Sequence, residues 1–303
     1  MVARRDFLKM GALALAISGG ACASLSKVDT STLETTKLEL PIKGLPLEFD
    51  RYRIGFISDI HLGPFVANSL LEATVDLVNQ HHADLLLLGG DFINLPMILE
   101  NLNFWYVRNN DFSDPTDRTL IYRIYDTLGR ILSQAQCPDG IYSVYGNHDR
   151  WFAPRTCAER FKHHRIGLLV NHTVNIKRNR KELQIIGVDD YWSGNPSLPQ
   201  NMAPKTSRQT RILLAHNPDY ISKVLTGTNF EFDLGLAGHT HGGQICMPFI
   251  GSLLHNVQDR RFSAGLFQHE KAAVYTTRGI GVVEIPLRLN CPPEVCLFTL
   301  RVA

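Results

Sequence analysis

The 303 residues contain no GxxxxGK[ST] segment, no serine elbow of the G-x-S-x-G kind, and no internal repeat or low-complexity tract. The first absence removes the phosphate-cradling loop of nucleotide hydrolases. The second removes the sharp turn that exposes a nucleophilic serine. Charge of one sign is lacking too: 31 Lys and Arg stand against 29 Asp and Glu, a net of +2. Such a balance gives no electrostatic case for a nucleic-acid partner. Cysteine is sparse, with six residues scattered from Cys22 to Cys296, and does not describe a disulfide scaffold. Cys291 and Cys296 either pair in an oxidising compartment or remain two buried thiols. No apolar run spans a bilayer comfortably; the one near the N-terminus is too short.

That short run has a different meaning. In "MVARRDFLKMGALALAISGGACAS" the pair Arg4-Arg5 precedes an apolar stretch that ends in Ala21-Cys22-Ala23. This is the layout of a twin-arginine signal peptide over residues 1–23, cleaved after Ala23. Cys22 as a lipid-attachment cysteine is the alternative, although Gly19 stands where a lipobox wants leucine. Loss of Arg4, Arg5, Lys9 and Asp6 leaves 28 charges of each sign. The twin-arginine translocase carries folded proteins, which suits a chain that takes up metal before export. The expected destination is the periplasm or cell envelope. Residues 24–50 read as a polar linker followed by an edge strand near Thr36–Leu40, and residues 51–303 as one catalytic domain.

Within that domain one pattern recurs. A short apolar run ends in a polar cluster: "YRIGFI" in Ser58-Asp59-Ile60-His61, "DLLLLG" in Gly90-Asp91, and "GIYSVYG" in Asn147-His148-Asp149. "RILLA" then ends in His216-Asn217, and "FDLGLAG" in His239-Thr240-His241. These runs read as buried strands bounded by turn residues. Residues 68–80 and 118–134 carry apolar side chains at helical spacing. Strands alternating with helices predict a layered α/β fold, whose sites form beyond the carboxyl ends of the strands. "KRNRKE", residues 177–182, reads as a charged hairpin turn. Trp192 reads as core packing, with a place lining the cleft as the alternative, and Arg288 as a residue that orders the C-terminal strand.

Asp59, His61, Asp91, Asn147, His216, His239 and His241 are therefore candidate metal ligands. All offer oxygen or imidazole nitrogen and none a thiolate, which suits manganese, iron or zinc. Seven ligands are too many for one such ion and suit two that share a bridging carboxylate. Paired divalent ions can clamp a phosphoryl group and stabilise its entering and leaving oxygens. A non-enzymatic envelope protein that binds metal is the rival from another class, and it has no need of seven converging ligands.

In this order, Asp59-x-His61, Gly90-Asp91, Gly146-Asn147-His148-Asp149, His216 and Gly238-His239-Thr240-His241 resemble the calcineurin-like metallophosphoesterases. The segments "HGGQICMPF" and "TTRGIGVVEIPLRLNCPPEVCLFTL" resemble the exported phosphodiesterase branch, which is related to UDP-diacylglucosamine pyrophosphatases. The resemblance implies a two-sheet β-sandwich flanked by helices. It implies a first ion on Asp59, His61 and His241, a second on Asn147, His216 and His239, and Asp91 between them. It implies attack by a metal-bridging hydroxide on a phosphoester, most readily a diester, with His148 against the phosphate. A pyrophosphatase acting on a UDP-sugar lipid at a membrane surface, peripherally associated, is the nearest rival. One departure matters: the family's GDxxD reads "GDFIN" here, so Asn94 replaces the aspartate that orients the catalytic histidine. Either Asn94 or Asp149 takes that role. An insertion near residues 95–118 reads as a helix packed on the core, or as a lid for a lipid-bearing substrate.

Overall fold

The computed structural model describes residues 33–94, 115–199, 204–206, 209–252, 256–270, 272–284 and 286–303. The signal peptide, most of the 95–118 insertion and His255 lie outside the described residues.

Each four- or five-residue apolar run is long enough to cross one sheet, and its side chains alternate between two covered faces. In β3 (Leu85–Leu88), Leu85 and Leu87 point into one core, while Leu86 and Leu88 point into another. The same division holds in β8 (Gln209–Leu214): Ile212 and Leu214 face one way and Leu213 the other. A strand that is apolar on both faces must lie between two layers. Two six-stranded sheets do stack here, with an outer helical layer on each.

The first sheet runs β1 (Glu34–Ile42), β14 (Glu294–Val302), β2 (Arg53–Ile57), β3, β4 (Ile141–Ser143) and β5 (Gly167–Leu168). The second runs β12 (Gly265–Gln268), β13 (Ala273–Thr276), β9 (Leu234–Ala237), β8, β7 (Lys181–Gly187) and β6 (His172–Arg178), and a separate antiparallel pair is formed by β10 (Cys246–Met247) and β11 (Gly251–Ser252). Strands β2 to β5 are mutually parallel, as are β13, β9, β8 and β7. Phe56, Leu87 and Phe298 from one sheet meet Ile185, Ile212 and Leu236 from the other in the inter-sheet core. Burying each such side chain contributes about 1.5–3 kcal/mol.

Helices α1 (Asn68–Gln80), α2 (Pro115–Leu132) and α4 (Pro154–His163) cover the first sheet. Helix α5 (Pro218–Gly227) covers the second through Ile221, Val224 and Leu225. Short α3 (Asn147–Phe152) begins at the end of β4. The charged hairpin is the link between β6 and β7: its turn residue Asn179 takes a left-handed φ of 55°. The layering places the carboxyl ends of β2, β3, β4, β8 and β9 along one rim.

Candidate metal centre

All seven candidate ligands follow those strand ends, and all are buried. The chain turns abruptly at five of them. Asp59, His61, Asp91, His239 and His241 take positive φ, between 47° and 73°. Asp and His are among the side chains best tolerated there, yet each such residue costs about 1–2 kcal/mol. Strain of this kind persists where the surroundings over-determine it. Here the backbone is pinned: Asp59 N–H donates to the Gly90 carbonyl at 3.0 Å, and His61 N–H to the Asp91 carbonyl at 3.0 Å. Gly281 N–H donates to the Asp59 carbonyl at 2.7 Å. Close approach explains the glycines of the motifs. A Cβ on Gly238 would lie 2.0 Å from Ser58 Oγ, and one on Gly146 would lie 2.1 Å from Asp91 Oδ1.

The donor atoms form two groups that share one oxygen. In the first, His61 Nε2 and His241 Nε2 are 3.0 Å apart, and Asp59 Oδ1 is 3.4 Å from His241 Nε2. In the second, His216 Nε2 lies 3.2 Å from Asn147 Oδ1 and 3.2 Å from His239 Nδ1. Asp91 Oδ2 lies 3.6 Å from His61 Nε2 and 3.3 Å from His216 Nε2, so it serves both groups. Its other oxygen, Oδ1, is occupied by the backbone N–H of His148 at 2.9 Å.

Does this arrangement fit a cation? His216 Nδ1 lies 2.8 Å from the Gly89 carbonyl, which can only accept, so Nδ1 carries a hydrogen and Nε2 is the atom turned into the site. Nε2 faces an amide oxygen, an imidazole nitrogen and a carboxylate. Acceptors so crowded need a positive charge among them. A proton on the His216 ring meets part of this demand: burial works to lower its pKa, but Asp91, Asp59 and Asp190 outweigh burial and push it up to about 10, and an ion bound there would take the place of the Nε2 proton. Burial lowers His61 and His239 to about 3 and His241 well below its ordinary value, so these rings keep lone pairs at neutral pH. Burial also works to raise Asp91, but His216 and His148 hold it well below the usual carboxylate range. Oxygen and imidazole donors in two adjoining groups suit a pair of divalent ions.

His148 lies beside the first group, its ring 4.7 Å from that of His61, and its Nδ1 is buried without a hydrogen-bond partner. The expectation that Asn94 or Asp149 holds this ring through Nδ1 is therefore corrected. Asp149 is fully engaged elsewhere: its carboxylate accepts from the backbone N–H groups of Asp91, Phe92 and Gly146 and from the Tyr125 hydroxyl. Asn94 is buried where its chain pairs with Leu62, its N–H donating to the Leu62 carbonyl at 3.3 Å. Of the two cysteine readings, the structure shows the buried thiols. Cys291 Sγ donates to the His241 carbonyl at 3.1 Å, whereas Cys296 Sγ donates to Thr277 Oγ1, and neither is in a disulfide.

Near the centre, Asp190 and Trp151 escaped the sequence reading, and Trp192 takes the less expected of its two places. Trp192 is 47% exposed, not core, and sets its ring edge-on against His239 at 4.2 Å. Asp190 holds that turn by accepting from the N–H groups of Trp192 and Ser193. Trp151 is 51% exposed, with its ring 5.0 Å from that of His148. The two indoles thus flank the centre, one beside each end. A tryptophan two residues beyond Asn-His-Asp was the available signal for Trp151, but its place in space depends on α3. Arg288, expected only to order the tail, reaches His241 Nδ1 at 3.3 Å.

The calcineurin-like phosphoesterase pattern matches residues 52–243. The chain is 32% identical to the phosphodiesterase YaeI of Escherichia coli (strain K12), over 99% of this chain and 100% of that one. It is 28% identical to the uncharacterized metallophosphoesterase YkuE of Bacillus subtilis (strain 168), over 99% of this chain and 98% of that one. Identity is 25% to the UDP-2,3-diacylglucosamine pyrophosphatase LpxG of Chlamydia muridarum (strain MoPn / Nigg), over 89% of this chain and 90% of that one. With the match extending from β2 through the last metal-ligating turn, the chain belongs to the calcineurin-like phosphoesterases and is a metal-dependent phosphoester hydrolase.

Proposed function

We propose that this hydrolase acts on phosphodiesters outside the cytoplasm, using two ions drawn from manganese, iron and zinc. The observation that carries the reading is the single oxygen, Asp91 Oδ2, placed between two groups of buried acceptors. Asp59, His61, His241 and Asp91 would hold one ion; Asn147, His216, His239 and Asp91 the other. Ions bound there supply Lewis-acid charge to the phosphoryl oxygens and lower the pKa of water. The protein contributes the rest. His148 stands beside the first group, its ring 4.7 Å from that of His61. Burial lowers its pKa against the pull of Asp91, so at neutral pH the ring is an uncharged hydrogen-bond donor to a phosphoryl oxygen. Trp151 and Trp192 offer flat apolar walls for the groups esterified on either side of the phosphate.

Those two half-exposed indoles also favour a second reading, a pyrophosphate linked to a lipid, as the name of LpxG records for that relative. Residues 1–23 support export by the twin-arginine route in either case. Among the described residues, no helix is long and apolar enough to cross a membrane.

Two experiments test the reading. The metal-reconstituted full chain should hydrolyse bis-p-nitrophenyl phosphate faster than p-nitrophenyl phosphate. Preference for a UDP-linked lipid pyrophosphate over both would favour the second reading, and no turnover on any of the three would remove the enzymatic proposal. Residues 1–30 fused to a reporter should carry it across the inner membrane, and an Arg4→Lys, Arg5→Lys pair should stop it. Retention of the wild-type fusion in the cytoplasm would refute export.

A further inference from the structure

Two of the chain's three tryptophans stand at the metal centre, and neither is packed away. Among the described residues, the one ring contact of each indole is with a site histidine: His148 for Trp151 and His239 for Trp192. The exposed chain around them is polar. Arg155 and Glu159 follow Trp151, and Gly194, Asn195 and Ser197 follow Trp192. From residue 123 to residue 246 no other large apolar side chain among the described residues is exposed. A fatty chain needs a continuous apolar track. A lone indole set among polar residues offers one flat face, which suits the stacking of another flat ring.

The two indoles are also joined through their neighbours. Arg150, next to Trp151 on α3, donates to Asp189 Oδ1 from Nε at 2.8 Å and from Nη2 as well. Asp189 opens the turn that carries Trp192. Its Oδ1 also accepts the N–H of Asp190 at 2.8 Å, and its Oδ2 that of Asn195 at 3.0 Å. Asn171 fastens the same turn from β6's side of the chain: its Oδ1 accepts from Asp189 N–H at 3.0 Å and Ser197 N–H at 2.9 Å. A Cβ on Gly194 would lie 2.5 Å from Asp189 Cγ, so the turn closes directly on this carboxylate. On the other side, the Arg150 guanidinium lies 4.4 Å over the Tyr145 ring. The turn and α3 are thus set before any substrate arrives, and a wall already in place loses little freedom on binding.

We propose that Trp151 and Trp192 select the ester groups, favouring a diester that carries a planar aromatic or heterocyclic ring, such as a nucleoside, and that Arg150 is the positioning residue that fixes one indole relative to the other. This rests on the phosphodiesterase reading above.

The test compares the p-nitrophenyl phosphodiester of thymidine with methyl p-nitrophenyl phosphate on the metal-loaded full chain. Both release p-nitrophenolate, so the ratio of their kcat/KM values reports the group that is retained. The wild type should favour the thymidine ester by about tenfold or more, the order of one base–indole stack. Trp151→Leu and Trp192→Leu keep an apolar side chain and remove the plane. At equal ion content, the one that meets the retained group should bring the ratio close to one. Trp151→Phe and Trp192→Phe keep a plane and should keep most of the ratio. Arg150→Gln should raise KM for the thymidine ester several-fold with kcat within about twofold of wild type, and Arg150→Lys should recover part of that loss. A wild-type ratio near one would overturn the proposal, as would a ratio that both leucine variants keep. An equal fall on both esters in Arg150→Gln, not recovered by lysine, would overturn the positioning role. If Arg150→Gln does not fold, the tryptophan series still decides. Hydrolysis of neither ester by the wild type would instead refute the phosphodiesterase reading.

Discussion

Asp91→Asn should bind one divalent ion where the wild type binds two, and should lose on the order of a thousandfold in kcat/KM, about 4 kcal/mol of transition-state stabilisation. The substitution is nearly isosteric, and Asn tolerates the left-handed φ of 55° at this position as well as Asp does. What changes is one atom. The amide oxygen can keep the place of Oδ1 and accept the His148 N–H at 2.9 Å. The NH2 group then replaces Oδ2, and a donor stands where two groups of ligands need a shared lone pair. Turning the amide over only moves the clash to His148 N–H. The charge is lost as well, and with it the principal carboxylate partner of His216. Elemental analysis of the purified variant and kinetics on bis-p-nitrophenyl phosphate measure both effects. A variant that retains two ions and activity within tenfold of wild type would show that Asp91 does not join the two positions.

The candidate site was legible in the sequence because its residues sit where strands stop. An apolar run of four to six residues followed by Asp, Asn or His says that a covered strand has reached a rim, and every candidate ligand lies just beyond such an end. Strand order was less accessible. Nothing local announces that β14 inserts between β1 and β2, antiparallel to β2 and 240 residues along the chain from it, pairing Phe298 with Ile54. Least legible were the partners of the ligands. Arg288 meets His241 only because the tail folds behind the metal turn, through pairing of Ile245 with Leu289. No spacing encodes that kind of distant contact. Asp149 is a different case. Its neighbours Asn147 and His148 made it look like part of the chemistry. It occupies the third position of α3, where an acidic side chain can turn back to the N–H before the helix, and it does so to Gly146 at 2.9 Å. The capping pattern was present in Gly-Asn-His-Asp, and the proximity of two site residues concealed it.

Removal of that carboxylate should therefore unfold the protein more than it alters the chemistry. Asp149 Oδ2 accepts from the N–H groups of Asp91 at 2.8 Å and Gly146 at 2.9 Å; Oδ1 accepts from Phe92 N–H at 3.0 Å and the Tyr125 hydroxyl at 3.1 Å. It fastens the turn carrying the bridging aspartate to the start of the helix carrying Asn147. Asp149→Ala strands three buried backbone donors, each at a cost of about 1–3 kcal/mol, so a total loss of about 4 kcal/mol or more is expected. Asp149→Asn keeps one accepting oxygen but turns an NH2 group toward the other donors. Burial pushes the native carboxyl up to about 7, so the missing charge matters less than the missing lone pairs, and a loss of about 2 kcal/mol is expected. Urea unfolding of chelator-treated protein measures both without a contribution from metal binding. Activity of metal-loaded Asp149→Asn should fall only as its metal affinity falls, and saturating metal should restore most of it. If instead Asp149→Asn keeps the wild-type unfolding midpoint and full metal loading but loses turnover, then Asp149 acts on the reacting groups and the clamp is not its role.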